Sequence, residues 1–424
     1  MGREKITLAI AGLGGRGRGA YSSYALGHSD EMEVVAAADI CEDALKLVKQ
    51  DWNLPEDRCF HSAQEMFSKE KLADIAVIAT QDKDHVAHAL AALERGYHLL
   101  LEKPVAVDME GCMQILHAAR KYQRHVVVCH VLRYTPFYNK IKTLIDTGAI
   151  GDVVTIQAGE NVGYWHHAHS FVRGNWRNKE ESSPMILAKC CHDMDILVWL
   201  TGKRPLYVSS FGDNYHFNAA HAPEGAALRC CDCAIRKECP YDAVRFYLES
   251  PDTGVRGGHT GWPVNVLNPI VTEQTIGVAL RTGPYGRCVY HCDNNVVDHQ
   301  VVNLALEDGV TVNFTMSAFS DSCYRTIRVM GTKGSIEGNM DESRLVWKDF
   351  LGHQETYDVS VKTEEMAGHG GGDKRMMDEL VQLIRSDSMG GMQTSIERSI
   401  ESHLVALLAE ESRLRNGESL LVQL

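Results

Sequence analysis

Residues 6–17 read Ile-Thr-Leu-Ala-Ile-Ala-Gly-Leu-Gly-Gly-Arg-Gly, a short apolar run that stops at a glycine-rich turn. The run Ile6–Ala11 has the character of a strand buried on both faces of a parallel sheet. Gly12, Gly14, Gly15 and Gly17, with Arg16 among them, follow the spacing G-x-G-x-x-G. Glycines at these places permit a tight turn and bring backbone N–H groups close to a pyrophosphate. The helix that follows adds the partial positive charge of its N-terminus. The pattern alone is weak; its weight comes from standing between a strand and a helical pattern. Asp39 ends the next apolar run, 22 residues after Gly17. A carboxylate there accepts hydrogen bonds from a ribose 2′-hydroxyl and repels a 2′-phosphate, so the expected cofactor is NAD rather than NADP. Arg16 and Arg18 leave a phosphate-binding variant open.

Working outward, the same alternation continues to residue 128. Strands are predicted at 34–39, 75–79, 98–101 and 126–129, and helices at 17–26, 42–52, 85–95 and 109–122. That order predicts a doubly wound α/β domain over residues 1–128. The texture then changes. Helical patterns at 136–147 and 184–200 flank a strand at 152–158, and alternating segments follow at 207–211, 289–292, 301–306, 310–316 and 326–331. They predict a second α/β domain, 129–424, with an open, largely antiparallel sheet. Residues of about 219–287 read as a Cys-containing insertion, and about 372–415 as C-terminal helices.

The whole chain has 424 residues, 43 Lys+Arg and 56 Asp+Glu, for a formal net charge of −13. This length supports two or three domains with real cores. The acidic balance argues against nucleic acid and anionic membranes as partners, because both attract clustered positive charge. No apolar stretch approaches the roughly 20 residues of a spanning helix, and the N-terminus lacks a secretory pattern. A cytoplasmic location with reduced thiols is expected, since the 13 cysteines are odd in number and scattered.

Several motifs carry chemistry. Glu102-Lys103-Pro104 directly follows the strand predicted at 98–101, at the sheet edge where ligands bind. The Pro pins the turn, and a Lys held by its neighbouring Glu can bridge cofactor and a substrate hydroxyl. Residues 164–178 hold Trp165, His166, His167, His169, Arg173, Trp176 and Arg177. Aromatic faces with guanidinium and imidazole donors suit a polyhydroxylated ring; the H-x-H pair also admits a metal. Cys230, Cys231, Cys233 and Cys239 have the local spacing of a structural zinc site, with an iron–sulfur cluster or free thiols as alternatives. Gly368-His369-Gly370-Gly371-Gly372-Asp373 would present His369 at a helix start.

The order of GLGGRG, Asp39, Thr80-Gln81-Asp82 with His85, Glu102-Lys103-Pro104, Arg133-Tyr134-x-Pro136 and Gly148-x-x-Gly151 resembles the Gfo/Idh/MocA oxidoreductases. The resemblance implies an N-terminal Rossmann domain, a C-terminal α/β domain with an open sheet, and a tightly held NAD. It assigns cofactor contacts to Gly12, Gly14, Gly15, Arg16, Gly17, Asp39, Thr80, His85, Glu102 and Lys103. The family's second cluster is an Asp four residues before a His and another Asp three after it. Here His192 and Asp195 match, but Ala188 replaces the first Asp, with Lys189 and Asp193 as replacements for its role. Lys103, His192, Lys189 and Asp193 are thus the candidate catalytic residues. Arg133, Tyr134, Trp165, His167, His169, Arg173, Trp176, Arg177, Asp195 and His369 are the candidate substrate contacts.

The implied activity is NAD-dependent oxidation or reduction of a ring hydroxyl on a sugar or glycoside, by a homo-oligomer assembled through its C-terminal sheet as a dimer or tetramer. The GGRG and HGGGD segments resemble the family branch containing NAD-dependent glycosidases, so a redox-neutral glycoside hydrolase is the alternative. That enzyme would oxidise C3, eliminate the aglycone, add water and return the hydride. A non-catalytic NAD-binding regulator is the third reading.

Overall fold

The computed structural model describes residues 4–361, 368–386 and 392–423. A six-stranded parallel sheet has the order β3-β2-β1-β4-β5-β6, built from β1 (Ile6–Ala11), β2 (Met32–Ala38), β3 (Cys59–Phe60), β4 (Ile75–Ile78), β5 (His98–Leu101) and β6 (Val126–Val128). The strand order reverses between β1 and β4, which creates the crevice where open α/β sheets take ligands. Leu8, Ile10, Val77 and Leu100 face one core, while Ala9, Ala11, Ala76, Ile78 and Leu99 face the other. Both faces are therefore covered, as the continuous apolar runs required. The sequence reading missed β3, whose two residues are too few to show a period.

The second sheet has nine strands in the order β14-β13-β12-β11-β7-β10-β9-β8-β15. They are β7 (Val153–Asn161), β8 (Pro205–Asp213), β9 (His299–Leu306), β10 (Thr311–Ser317), β11 (Tyr324–Gly331), β12 (Gly334–Asn339), β13 (Arg344–Asp349), β14 (Gln354–Asp358) and β15 (Leu420–Leu421). Only β7 and β10 run parallel; the other pairs are antiparallel. Ile156, Val302, Phe314, Val329 and Ile336 share a core with Ile141, Leu197 and Val405 of the covering helices.

Two local expectations are corrected. Residues 289–292 form a turn rather than a strand, with Val289 and Tyr290 packed beside Phe217 and Tyr241. The helix expected at 184–200 is two helices, Met185–Ala188 and Cys191–Thr201, interrupted at Lys189 and Cys190. The insertion holds short 3-10 turns and one π-helical turn, Arg245–Glu249, around the helix Glu273–Thr282, with its own small core of Tyr247, Val264, Ile276 and Leu280.

After the second sheet the chain returns to the first. The helix Gly372–Ser386 buries Met376, Met377, Leu380 and Val381 against one face of the parallel sheet. Ile396 and Ile400, at the start of the helix Ile396–Leu414, reach the opposite face. Arg133, in the turn after β6, forks onto Asp195 of the helix Cys191–Thr201, with Nε donating to Oδ2 at 2.7 Å and an NH2 donating to Oδ1 at 2.6 Å. Both side chains are buried, and Arg133 also donates to the Gln393 carbonyl at 2.6 Å. Burial opposes ionisation of Asp195, but the Arg133 guanidinium outweighs it and holds the carboxyl below its usual range.

A depressed carboxyl contributes stability that is present above the unfolded Asp pKa of about 3.9 and lost as pH falls through the lower folded value. Arg133→Met should therefore cost about 3–5 kcal/mol at pH 7, since it leaves a buried carboxylate without its cation. Urea denaturation reads this directly. The loss should shrink on acidification and when Asp195→Asn is added, whereas a wild-type midpoint for Arg133→Met would contradict the pairing.

Candidate active site

The turn after β1 has the shape that a bound dinucleotide requires. Gly12 adopts φ +90°, and a Cβ there would lie 2.3 Å from the Ala79 carbonyl oxygen of the neighbouring β4 turn. Gly14 and Gly15 instead face open space, so the outer surface of the loop is bare backbone. Asp39 accepts from the Leu13 N–H at 2.6 Å through Oδ2 and from the Cys41 N–H at 2.7 Å through Oδ1. It thereby ties the glycine loop to the end of β2, and each oxygen keeps capacity to accept from a ribose hydroxyl. Ile40 beside it is 89% exposed, an apolar surface suited to a purine face that sequence reasoning passed over. The residues present fit NAD.

Arg16 does not extend over that loop. Its Nε donates to Glu102 Oε1 at 2.6 Å, and its NH2 donates to the Tyr21 hydroxyl and Asp373 Oδ1, both at 2.7 Å. Its NH1 reaches Asp373 Oδ2 at 3.2 Å. Arg18 pairs with Asp51 at 2.8 Å. Neither guanidinium is left as a phosphate clamp. Glu102, expected to hold the Lys103 ammonium, accepts instead from Arg16, from the Tyr21 hydroxyl and from the Lys103 backbone N–H. Burial works against its ionisation, yet Arg16 and Lys103 outweigh burial and lower its carboxyl below the ordinary value.

Lys103 crosses to the second half of the molecule. Its Nζ donates to the Ala188 carbonyl at 2.8 Å. The helix interruption at Lys189 and Cys190 makes this contact available, because it frees Ala188 from the regular helical ladder. Thr80 and His85 brace the same turn from below. The His85 ring nitrogens face the Pro104 carbonyl at 2.7 Å and the Thr80 carbonyl at 3.1 Å, and the Thr80 hydroxyl meets His88 Nδ1 at 3.0 Å.

Imidazoles gather beside Lys103. The His192 ring centroid lies 5.9 Å from that of His130 and 5.9 Å from that of His369. His192 is buried, and burial together with the Lys103 charge holds it well below the ordinary histidine value, hence neutral. Next to it, Lys189 pairs with Glu160 at 3.3 Å, while Arg325 bridges Glu160 at 2.7 Å and Asp193 at 2.8 Å. Burial first, then the nearby Glu160 carboxylate, push the Asp193 carboxyl up against the pull of Arg325. Glu160 and Arg325 were missed in the sequence: each sits in a strand, where nothing in the alternation marks a buried charge.

Other expected site residues are committed to protein partners. Arg133 and Asp195 pair with each other, and the Tyr134 hydroxyl meets Thr394 at 3.1 Å. Arg173 donates to the carbonyls of Arg287 and Tyr241, both at 2.7 Å; Trp176 Nε1 donates to Asp82 at 3.1 Å; Arg177 pairs with Asp293 at 2.9 Å. His169 meets the Tyr247 hydroxyl at 2.6 Å, and His167 packs between Phe171 and Phe217. Burial lowers His169 to about 3 and His167 to about 4. Trp165 stays half-buried, its ring 5.5 Å from that of Trp262 in the insertion, which is 50% exposed.

The zinc expectation is corrected. Among the described residues no three His, Cys, Asp or Glu side chains come together as a metal site. Cys230 turns toward Arg173 and the Arg287 carbonyl, Cys231 is exposed, and Cys233 and Cys239 are free thiols. Cys230, Cys233 and Cys239 line one small cavity with Cys288, but a zinc site needs its thiolates about 2.3 Å from one common point, and no three ligands among the described residues meet that arrangement.

Comparison with known proteins agrees with this architecture. Residues 6–130 match the model of an oxidoreductase family with an NAD-binding Rossmann fold, and residues 142–413 match that family's C-terminal alpha/beta domain. YteT of Bacillus subtilis is 25% identical over 339 residues, 76% of each chain. Glycosyl hydrolase family 109 protein 4 of Phocaeicola vulgatus is 21% identical over 389 residues, spanning 89% of this chain but only 64% of that protein. The WlbA dehydrogenase of Chromobacterium violaceum, solved with NADH and UDP-GlcNAcA, superposes with a TM-score of 0.66 at 15% identity, covering 100% of this chain and 98% of that one. Among the described residues no helix is long and apolar enough to cross a membrane. With both family models matched in order along nearly the whole chain, the protein belongs to the Gfo/Idh/MocA oxidoreductase family.

Proposed function

We propose that this chain oxidises or reduces a ring hydroxyl of a sugar or glycoside, using NAD held across the first glycine loop. One observation carries the reading: the Lys103 ammonium, from the carboxyl end of β5, meets the Ala188 carbonyl beside the His192 cluster, at the sheet edge next to the bare loop. When bound, NAD supplies the hydride acceptor or donor. Gly14 and Gly15 would admit its pyrophosphate, and Asp39 would accept from its adenosine ribose.

Hydride departure from a carbinol requires the hydroxyl proton to leave as well. Lys103 donates to the reacting oxygen and steadies the charge that grows on it. Neutral His192 accepts the proton, a role open to an imidazole kept unprotonated by burial. Lys189 and Asp193, held by Glu160 and Arg325, form a fixed ionic cluster near that imidazole. The sugar class is supported by the exposed Trp262 face beside Trp165, since apolar ring faces stack on aromatics, and by the relatives' own names. The family 109 relative, matched over 89% of this chain, favours the glycoside-cleaving alternative in the same site.

Asp39→Ala should weaken NAD binding at least several-fold with the fold kept, and should also lower the unfolding midpoint, because the Leu13 and Cys41 N–H groups lose their acceptor; fluorescence titration with NADH measures the affinity, and equal affinity would remove the ribose contact. Incubation with a panel of polyols and aryl α- and β-glycosides separates the activities. Net formation of reduced nicotinamide selects the oxidoreductase, aglycone release without net reduction selects the glycosidase, and neither with any compound selects a binding protein. With whichever compound reacts, Lys103→Met should lower turnover at least about 100-fold with NAD still bound. Turnover within a few-fold of wild type would place the catalytic centre elsewhere.

A further inference from the structure

His192 is a poor resting place for a proton. It is buried, its Nδ1 has no hydrogen-bond partner among the described residues, and the Lys103 charge is close to it. A proton taken from the substrate must move on. His130, its neighbour on the inner side, is wholly buried, and burial lowers it to about 3. The other neighbour differs in every respect. The His369 side chain is 37% exposed, and its Nδ1 lies 3.0 Å from Asp373 Oδ2.

We propose that Asp373 is a positioning residue that orients His369 and balances its charge, making the His369–Asp373 pair the proton acceptor and outlet of this site. The inference rests on the hydride-transfer reading above. In the oxidation direction, where bound NAD would supply the hydride acceptor for the carbinol C–H, the O–H proton passes to His192, then to His369, then to water. The imidazolium formed at His369 faces the Asp373 carboxylate. Reduction runs the same path backward.

The backbone is built for this placement. His369 has φ 49° and Gly370 φ 62°, which fold the chain back over the start of the following helix. A Cβ on Gly372 would stand 2.3 Å from the Val131 carbonyl oxygen, so the turn is seated directly on the turn after β6. Asp373 is 3% exposed at its side chain, and besides His369 it holds the Arg16 guanidinium of the cofactor loop. Burial opposes its ionisation, but Arg16 and the His369 hydrogen bond outweigh burial and hold the carboxyl well below its usual range. The charge that His369 needs is thus permanent. The charged and titratable groups around the pair are Arg16, Tyr21, Glu102 and Cys129 on the first sheet's side, Lys103 from the turn after β5, and His192 from the facing helix.

The test uses the NAD-loaded full chain with isotopically labelled histidine, His369 being assigned by the signal lost in His369→Gln. NMR titration should show the His369 pKa falling by about one unit or more in Asp373→Asn, the scale set by one adjacent opposite charge. Asp373→Glu should recover much of that. With the compound that reduces the bound NAD, the pH profile of turnover should shift in the same direction. His369→Gln, a change at a partly exposed side chain that leaves the buried ion pairs in place, should lower turnover at least about 100-fold with NADH affinity kept.

An unchanged His369 titration in Asp373→Asn overturns the pairing. A shifted titration with an unshifted rate profile, or near-normal turnover in His369→Gln, overturns the proton role and leaves a structural contact. If the titration shifts as expected but no polyol or glycoside reduces the NAD, the hydride-transfer reading fails instead, and the outlet with it.

Discussion

One guanidinium joins the parts of this site. Arg16 belongs to the glycine loop, yet its donors are taken by Tyr21 in the helix after the loop, Glu102 at the end of β5 and Asp373 at the start of a helix more than 350 residues later. Two carboxylates are buried here, with side-chain exposures of 7% and 3%. Each would be expensive to desolvate without a paired cation, and removing one member of such a set commonly costs about 3–5 kcal/mol. The fork geometry of arginine is what allows one residue to satisfy all three partners. Because Arg16 faces inward, the outer surface of the loop stays bare, and Asp373 stays ionised beside His369. The cofactor turn and the His369 segment are therefore two ends of one ionic knot.

The second constraint is how the two sheets meet. Lys103 bonds the Ala188 carbonyl, Arg133 grips Asp195, and Asp82 accepts from Trp176, Ser182 and Ser183. All three residues lie at or just beyond the carboxyl ends of strands of the parallel sheet. The crevice that topology provides is thus lined by fixed polar contacts, and the residues proposed to act on substrate need little rearrangement to do so. The C-terminal helices complete the arrangement by packing on both faces of the first sheet.

Much of this was legible in the sequence where the signal is local. Unbroken apolar runs between helical patterns defined the parallel sheet, and Gly12 to Gly17, Asp39 and Lys103 followed from the turns that strand ends require. What was not legible was the choice of partners. Three histidines and two arginines in residues 164–178 read as donors for hydroxyl groups, but the acceptors that claim Arg173, the Arg287 and Tyr241 carbonyls, lie 114 and 68 residues away. Arg16 read as a cofactor contact, and nothing local announced Asp373, the partner 357 residues distant. The clustered cysteines read as ligands because spacing says nothing of the direction each thiol takes. The β12–β14 meander escaped because its outer strand is largely exposed and shows little alternation.

The most direct test of the ionic knot is a double-mutant cycle on Arg16→Met and Asp373→Asn, read as urea unfolding midpoints of the NAD-free protein at neutral pH. If the two side chains meet as described, each single change is costly and the pair is strongly non-additive, with a coupling energy of at least about 1 kcal/mol. Additivity within about 0.3 kcal/mol would mean that the cofactor loop and the His369 segment are independent, and the account built on Arg16 would fall.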